Sequence, residues 1–256
     1  MRNISILRIA LFAAAFTLIG VQCIKFGGGA ATSTAGGIFK SQNRGEQWLQ
    51  KAALFTSAGV KPFGGVNITT FSLDPQDHFA IYAGTRENGM FYSYDGGESW
   101  YLPKDVASGY VGSIAVDSSN KCVIYAAVGN QVMKSADCNR SFKRAYNEAT
   151  PQTLVTAVAV SPFNAAIVYA GTSRGTLLKS VDAGDSWSMQ GKVSGSVYTI
   201  VPDSRNSSLI YVLVTGKGLW KSVNGGGQFQ ELTTSLRSAN ATDVRRLVLD
   251  RATTNA

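Results

Sequence analysis

The stretch SYDGGESW at residues 93–100 decides the fold, because versions of it recur four more times along the chain. The other copies are SQNRGEQW at 41–48, SADCNRSF at 135–142, SVDAGDSW at 180–187 and SVNGGGQF at 222–229. All five share the frame Ser-x-Asp/Asn-x-Gly/Asn-x-x-Trp/Phe, and their first serines are 42 to 52 residues apart. Recurrence at so regular a spacing indicates a fold built from structural repeats.

Short apolar segments precede the last four copies in a fixed order. The first, such as residues 113–117, ends in Asp or Ser, and the second, such as 168–172, carries a tyrosine after a branched residue. A third, such as 218–222, runs into the octapeptide, and the aromatic residue at its end begins a fourth. Apolar runs bounded by Asp-Pro, Asp-Gly and Gly-Gly are typical of strands and turns. The pattern predicts an all-β protein, a β-propeller of four-stranded antiparallel blades.

Each octapeptide is interpreted as the hairpin turn between a third and a fourth strand. A Ser or Asp side chain accepts hydrogen bonds from backbone N–H groups that a tight turn leaves unpaired, and glycine supplies positive φ. The terminal aromatic side chain is expected to fold back and bury a large apolar area. The aspartates are therefore assigned to structure and not to catalysis. The residues given these roles are Ser41, Asn43, Gly45, Trp48, Ser93, Asp95, Gly97, Trp100, Ser135, Asp137, Phe142, Ser180, Asp182, Gly184, Trp187, Ser222, Asn224, Gly226 and Phe229.

These octapeptides resemble the Asp-box, and residues 37–250 resemble the bacterial neuraminidase repeat (BNR) propellers. That superfamily includes sialidases, xyloglucan-cleaving glycosidases, sortilin-like domains and the photosystem II assembly-factor group. The resemblance implies blades joined by Asp-box hairpins. It is specific for fold and says much less about function.

The strand count predicts about five blades. The repeats begin with a third and fourth strand within 37–50 and end after a first strand within 244–250. Two interpretations follow: the last strand completes the first blade, or the propeller is truncated. We favour truncation, because a blade without its second strand exposes two unpaired edges. The predicted propeller is thus truncated or incompletely closed.

The N-terminus has the character of an export signal. Residues 1–25 place two arginines ahead of a short apolar run, which predicts a signal peptide or an N-terminal membrane anchor. Cys23, after Gly20-Val21-Gln22, is a lipidation candidate because the segment resembles a bacterial lipobox. Residues 26–36 form a Gly/Ala/Ser/Thr-rich tether and 37–256 the propeller. The protein is expected outside the cytoplasm, secreted or tethered to the bacterial membrane.

The three cysteines fit this expectation. Cys122 precedes a second strand and Cys138 follows the neighbouring third strand, so antiparallel pairing brings them to one end of a blade. In an exported protein this register makes them a disulfide candidate, with two buried thiols as the alternative.

Ligands are expected on the face opposite the octapeptides, by analogy with the resembling families. Loops between second and third strands, and between fourth and first strands, share that face. The longest fourth-to-first loop is predicted at residues 51–67. The candidate binding residues are Arg86, Glu87, Asn130, Gln131, Arg174 and Lys217.

The sequence favours binding over catalysis. A sialidase needs an Arg-Ile-Pro motif and three arginines for its substrate, and no such tripeptide occurs here. A xyloglucan-cleaving enzyme needs two paired carboxylates, and nothing in the sequence pairs any of Glu87, Asp105 and Glu148. The predicted function is a non-enzymatic module that binds a protein or polysaccharide at the cell envelope. The alternative is a glycoside hydrolase with an incomplete catalytic set.

Composition narrows the partners further. Hydrophobic residues make up 45% of the 256 residues and charged residues 16%, which excludes wholesale disorder. The single histidine, His78, excludes His-rich metal sites, and no metal or cofactor is predicted. The net charge of +8 has no nucleic-acid motif behind it, so no nucleic acid is expected as a partner. The membrane is expected only through the N-terminus.

Overall fold

Five β-sheets follow one another along the chain in the computed structural model, which describes residues 36–232, Leu247 and Leu249. The strands are β1 (Phe39–Lys40), β2 (Leu49–Gln50), β3 (Ala53–Thr56), β4 (Gly59–Pro62), β5 (Ile68–Leu73), β6 (Ile81–Thr85), β7 (Met90–Ser93), β8 (Trp100–Tyr101), β9 (Val111–Val116), β10 (Ile124–Val128), β11 (Gln131–Ser135), β12 (Lys143–Asn147), β13 (Val155–Val160), β14 (Val168–Thr172), β15 (Thr176–Ser180), β16 (Ser188–Lys192), β17 (Val197–Pro202), β18 (Ile210–Val214), β19 (Gly218–Ser222) and β20 (Gln230–Glu231). One short 3-10 helix, Lys104–Val106, follows β8.

The predicted four-stranded antiparallel blade is confirmed in four places. Blade 1 contains β5 to β8, blade 2 β9 to β12, blade 3 β13 to β16 and blade 4 β17 to β20, each with its strands paired in chain order. The first sheet contains only β1 and β2, the predicted third and fourth strands. Within the described residues the ring of blades is therefore not closed.

Blade 1 has two strands that the sequence analysis missed. Residues 51–67 were expected to be a loop, but β3 and β4 form a hairpin within them, and β3 adds to β8 in parallel. The expectation of a loop was wrong because this hairpin lies outside the repeat pattern. The hairpin covers the outer edge of blade 1, which would otherwise present unpaired backbone groups.

The cores lie between consecutive blades. Tyr125 and Val168 of neighbouring blades are fully buried in one such core, together with Val158. The second strands can be this tightly covered because they carry small residues after the tyrosine. A Cβ added at Gly171 would lie 2.3 Å from Cγ1 of Val197 on the next blade, so only glycine fits there.

Hydrogen bonds also join the first strands of consecutive blades. The Thr69 hydroxyl donates to the carbonyl oxygen of Val111, from blade 1 to blade 2. The backbone N–H of Val158 donates to Oγ of Ser113 at 3.2 Å, from blade 3 to blade 2. Hydroxyl groups near the start of the first strands thus connect the blades to one another.

The octapeptides are hairpin turns held by their own side chains. In the fourth copy, Oγ of Ser180 accepts a 2.7 Å hydrogen bond from the N–H of Gly184, and Oδ1 of Asp182 accepts one of 2.8 Å from the N–H of Ser186. All five serines accept the equivalent bond, and the donors are Gly45, Gly97, Asn139, Gly184 and Gly226. The side-chain oxygens of Asn43 and Asn224 accept backbone bonds as the aspartates do.

Two successive residues in each turn have positive φ, whereas the sequence analysis assigned this conformation to one glycine per turn. The fifth position is glycine in four copies and Asn139 in the third, with φ of 66°. The fourth position also has positive φ, even where it is Cys138 or Ala183. Hydrogen bonds that the Ser and Asp side-chain oxygens accept from backbone N–H groups hold non-glycine residues in this costly conformation.

The aromatic residue of the first octapeptide is not buried as expected. Trp100 is 1% exposed, but Trp48 at the same position of its repeat is 53% exposed. The expected burial of Trp48 was wrong because its sheet has two strands and offers too little surface to cover the ring. The first sheet is nevertheless anchored to blade 1, since Lys40 and Lys51 both pair with Glu98, at 2.8 and 2.5 Å.

A disulfide joins Cys122 and Cys138. Cys122 precedes β10 and Cys138 follows β11, and the pairing of Ile124 with Ser135 brings them to one end of blade 2. The N–H of Cys138 also donates a 3.2 Å hydrogen bond to the carbonyl oxygen of Cys122.

Several expectations concern parts of the chain that lie outside the described residues. These are the export segment 1–25 with Cys23, nearly all of the tether 26–36, and the first strand predicted within 244–250 apart from Leu247 and Leu249. Among the residues that are described, no helix is long and apolar enough to cross a membrane.

Candidate functional site: the channel mouth

The first strands of the four blades stand side by side and line a channel. Their N-terminal ends point to the face opposite the octapeptides, where the second-to-third loops also lie. A cavity of about 250 Å³ opens there, and we call it the channel mouth. The residues that line it are Thr69, Thr70, Tyr110, Gly112, Ser113, Thr156, Ser196, Val197, Tyr198, Thr199, Thr215 and Leu247.

The lining is uncharged and rich in hydroxyl groups. Nine of its twelve residues are Ser, Thr or Tyr, and none carries a carboxylate. Some of these hydroxyls are engaged in joining the blades, because Thr156 Oγ1 donates a 2.6 Å hydrogen bond to the carbonyl oxygen of Val197. The hydroxyls therefore form two groups, one that fixes the channel wall and one that faces its opening.

Tyr110 and Tyr198 stand at the opening itself. Tyr110 is half-buried, with its ring above Gly112, where an added Cβ would lie 3.0 Å from it. Burial raises the pKa of Tyr110, the nearby Tyr198 raises it further, and the Arg86 guanidinium lowers it. Two phenol side chains therefore line one cavity, and the Arg86 guanidinium acts on one of them. Such a group can stack against a ligand and donate hydrogen bonds to it.

The six predicted binding residues lie on the expected face, but the structure does not bring them together. Three of them brace neighbouring loops: Asn130 Nδ2 donates to the carbonyl oxygen of Glu148 at 3.1 Å, and Gln131 Nε2 donates to Asn147 at 3.2 Å. Arg174 donates to the carbonyl oxygen of Pro151 at 3.3 Å. These groups hold the rim in shape.

The other three lie at two places on the rim. Arg86 and Glu87 line a cavity of about 220 Å³ with Asn67, next to the channel mouth. Lys217 lies against Gly195, with its Cγ 3.5 Å from the position of an added Cβ there. Of the six, Arg86 is the residue that the structure connects to the channel mouth, through its interaction with Tyr110.

The three carboxylates considered for catalysis lie apart from one another, and two of them accept hydrogen bonds from neighbouring groups. Asp105 accepts a 2.9 Å hydrogen bond from the N–H of Phe142 on another blade. Glu148 accepts bonds from the N–H of Thr150 at 2.8 Å and from the hydroxyl of Tyr146 at 3.0 Å. The Thr150 side chain, together with these two bonds, lowers the pKa of Glu148. Glu87 lines the rim cavity. Glycoside hydrolysis requires two carboxyl groups on either side of one bond, and none of these three lines the channel mouth.

The sequence analysis identified the correct face but missed the residues that form the opening. Tyr110 immediately precedes β9 and Tyr198 is the second residue of β17, and the sequence analysis gave neither of them a role. The signal that could have found them is the position itself, since the early residues of each first strand meet around the channel. Among the described residues, no group of three or more His, Cys, Asp or Glu side chains is placed to hold a metal ion.

Comparison with solved structures gives the fold. The chain is similar to an ancestral GH74 enzyme, with a TM-score of 0.58 and 21% identity over 79% of this chain and 26% of that one. It is also similar to the GH74 xyloglucanase from Xanthomonas campestris, with a TM-score of 0.59 and 19% identity over 75% and 34%. A third similar structure is YCF48 bound to a D1 peptide, with a TM-score of 0.51 and 13% identity over 66% and 56%.

The chain spans about a quarter to a third of the length of the GH74 enzymes and about half of YCF48. No protein-family model matches the chain, and no curated protein matches it. At these identities the similarity establishes fold alone. Together with the repeated antiparallel sheets, it shows that the chain has the β-propeller fold of four-stranded blades, in an incompletely closed form.

Proposed function

We propose that this chain is a non-catalytic binding module, which holds an extended protein segment or a polysaccharide across the channel mouth. The observation that carries the proposal is the lining of that cavity, where two tyrosines lie among several hydroxyl-bearing residues and none of the described residues carries a carboxylate. Aromatic rings and hydroxyls recognise both peptide backbones and sugar rings, and the described residues of the lining lack the pair of carboxyl groups that glycoside hydrolysis requires.

The rigidity of the rim supports binding. The bonds from Asn130, Gln131 and Arg174 to neighbouring loops fix the surface around the mouth. A preformed surface loses less conformational entropy when it binds, and this favours affinity without movement of the loops.

We also propose that the module works outside the cytoplasm, as a secreted or membrane-tethered protein. The support is the export-like N-terminal sequence together with the disulfide between Cys122 and Cys138. Disulfides persist in oxidising compartments and are rare in the cytosol.

The alternative is a glycoside hydrolase, favoured by the similarity to two GH74 structures. It would need Glu87 or another rim carboxylate to act with a second acid, and the described residues offer no such pair at the mouth. An enzyme and a binding module make opposite predictions for turnover, so one pair of assays separates them.

The test is binding of the purified chain to a peptide array and to a plant and bacterial glycan array, alongside hydrolysis of xyloglucan and sialoside substrates. We expect saturable binding on one array, loss of at least tenfold in affinity for Tyr110→Ala and Tyr198→Ala, and no hydrolysis. Phe163→Ala, an exposed residue on the octapeptide face, serves as the control. Turnover that Glu87→Gln abolishes would replace the proposal with the enzyme alternative.

A further inference from the structure

An apolar groove separates the first sheet from blade 1. It has a volume of about 940 Å³ and lies between β1 and β5. Three large side chains on its walls are exposed to solvent: Phe39 by 50%, Phe71 by 55% and Leu73 by 63%. This surface adjoins the hydroxyl-lined channel mouth, and Thr69, Thr70 and Tyr198 border both.

The position that corresponds to this groove is filled at all three interfaces among blades 1 to 4. The residues equivalent to Phe71 are Ile114, Val158 and Ile200, and they are 6%, 5% and 5% exposed. Each is buried in a cluster with a second-strand tyrosine of the preceding blade, and the tyrosines are Tyr82, Tyr125 and Tyr169. Phe71 is exposed because the first sheet contributes no second strand in the described residues.

One edge of β1 is open for such a strand. The described partner of β1 is β2, whereas the equivalent strands β11 and β15 also pair with a second strand. In those blades the tyrosine lies opposite a lysine, as Tyr125 does opposite Lys134, with the ammonium group 5.7 Å from the ring centre. Lys40 is the equivalent lysine of β1, and it already faces the groove. The register for an incoming strand is therefore defined.

The sequence of the filling strand is set by the occupied copies. They read IYAG at 81–84, IYAA at 124–127 and VYAG at 168–171. All ten tyrosines of the chain lie within 82–211, so neither 1–35 nor 233–256 contains one. Each of the second strands is already paired on both sides within its own blade, so a second copy would have to unfold to donate one.

We propose that the groove binds an extended segment of another polypeptide, which adds antiparallel to β1 and carries a branched residue, a tyrosine and two small residues. The tyrosine lies over Phe71 and opposite Lys40, the small residues allow close contact with β5, and the backbone pairs with the open edge of β1. This is recognition by strand addition, in which the edge supplies hydrogen bonds and the wall supplies side-chain specificity.

The test uses a labelled synthetic peptide with the sequence of residues 164–174, NAAIVYAGTSR, and fluorescence anisotropy with the full chain. We expect saturable binding in the micromolar range, and at least tenfold weaker binding of the peptide in which alanine replaces tyrosine. N-methylation of the backbone at the tyrosine or at the next residue tests pairing, because only one of the two N–H groups faces β1. We expect one methylated peptide to lose binding and the other to keep it.

Variants of the protein locate the site. Phe71→Asp should weaken peptide binding at least tenfold. Phe163→Asp is the control, because Phe163 is 50% exposed and Phe71 55%, and it should leave peptide binding unchanged. Melting temperatures of both variants verify that they are folded. Tyr110→Ala, at the channel mouth, should also leave binding of this peptide unchanged. Failure of the groove proposal can therefore be told apart from failure of the channel-mouth proposal.

Three outcomes would overturn the proposal. Equal binding of the tyrosine and alanine peptides, or of the wild type and Phe71→Asp, would show that the groove has no strand site. Self-association that Phe71→Asp abolishes would place a second copy there. Tighter peptide binding by a Leu247→Asp, Leu249→Asp variant would show that the C-terminal part of the same chain competes for the groove.

Discussion

Thr156 on blade 3 donates a 2.6 Å hydrogen bond from its hydroxyl to the carbonyl oxygen of Val197 on blade 4. The bond joins two first strands that are not paired in one sheet, and Thr69 makes the equivalent bond from blade 1 to blade 2. Side chains at the channel thus provide the cross-links that backbone pairing cannot provide between blades.

Removal of this link is expected to destabilise the protein. Thr156→Val keeps the shape of the side chain but leaves the Val197 carbonyl without its donor, so we expect a loss of about 1 kcal/mol in the free energy of unfolding. Urea denaturation followed by tryptophan fluorescence measures it. Thr215→Val, at an exposed threonine of the same cavity, is the control, and equal losses in both variants would contradict the role of the link.

The aromatic residues of the octapeptides should contribute differently to the free energy of unfolding, according to how deeply each ring is buried. Trp100→Ala removes a ring that is 1% exposed, and we expect it to cost about 4 kcal/mol. Trp48→Ala removes the same ring from the same motif position, but that ring is 53% exposed and its loss should cost less than half as much. Both are read from urea denaturation. Equal costs would mean that Trp48 is covered in solution.

Acid should weaken the octapeptide turns in a defined range of pH. Hydrogen bonds from Ser141 and Ser186 lower the pKa of Asp137 and Asp182 from 3.8 to about 2. A folded-state pKa below the unfolded value means that these carboxylates stabilise the protein above pH 3.8 and lose that effect as the pH falls towards 2. The melting temperature should fall across this range.

The variants that test this are matched within the turns. Between pH 4 and pH 2 the melting temperature of the Asp137→Asn, Asp182→Asn double variant should fall less steeply with pH than that of the wild type. The reason is that its amides do not titrate. Val181→Ala, at an exposed residue of the fourth turn that does not titrate, should retain the wild-type slope. A double variant with the full wild-type slope would sink the assignment.

Reduction of the disulfide should destabilise blade 2. Cys122 and Cys138 are 16 residues apart, and closing a loop of that length stabilises a protein by about 3 kcal/mol through the unfolded state. We expect the melting temperature of the wild type to fall when a reductant is added. The melting temperature of a Cys122→Ser, Cys138→Ser variant should not change when the reductant is added. Mass analysis of the oxidised chain that finds two free thiols at these positions would refute the pairing.

Most of the fold could be predicted from the five octapeptides, because the bonds within them are local. Ser180 bonds four residues ahead to Gly184, so the residues that make each turn lie within one short stretch of sequence. The hairpin of β3 and β4 could not be predicted in this way, because it belongs to no repeat. The two successive positive φ angles were missed for a different reason: Cys138 and Ala183 adopt them under the constraint of neighbouring bonds.

The candidate site was predictable only as a face. Strand order places the second-to-third loops together, so Arg86 and Asn130 were expected on one rim. Their partners could not be inferred, since Asn130 is committed to the carbonyl oxygen of Glu148, 18 residues away. Tyr110 and Tyr198 line one cavity although they are 88 positions apart, and only the arrangement of the blades brings them there.

The sequence by itself determined the repeat, the four-stranded blade and the chemistry of each turn, since all of these depend on contacts between residues close along the chain. The tertiary structure alone decided which copy of a repeated residue is left exposed. Phe71 and Ile114 hold the same position in their repeats, yet one is 55% exposed and the other 6%. The difference comes from the strand that the preceding sheet supplies, and that neighbour is set by the packing of whole blades.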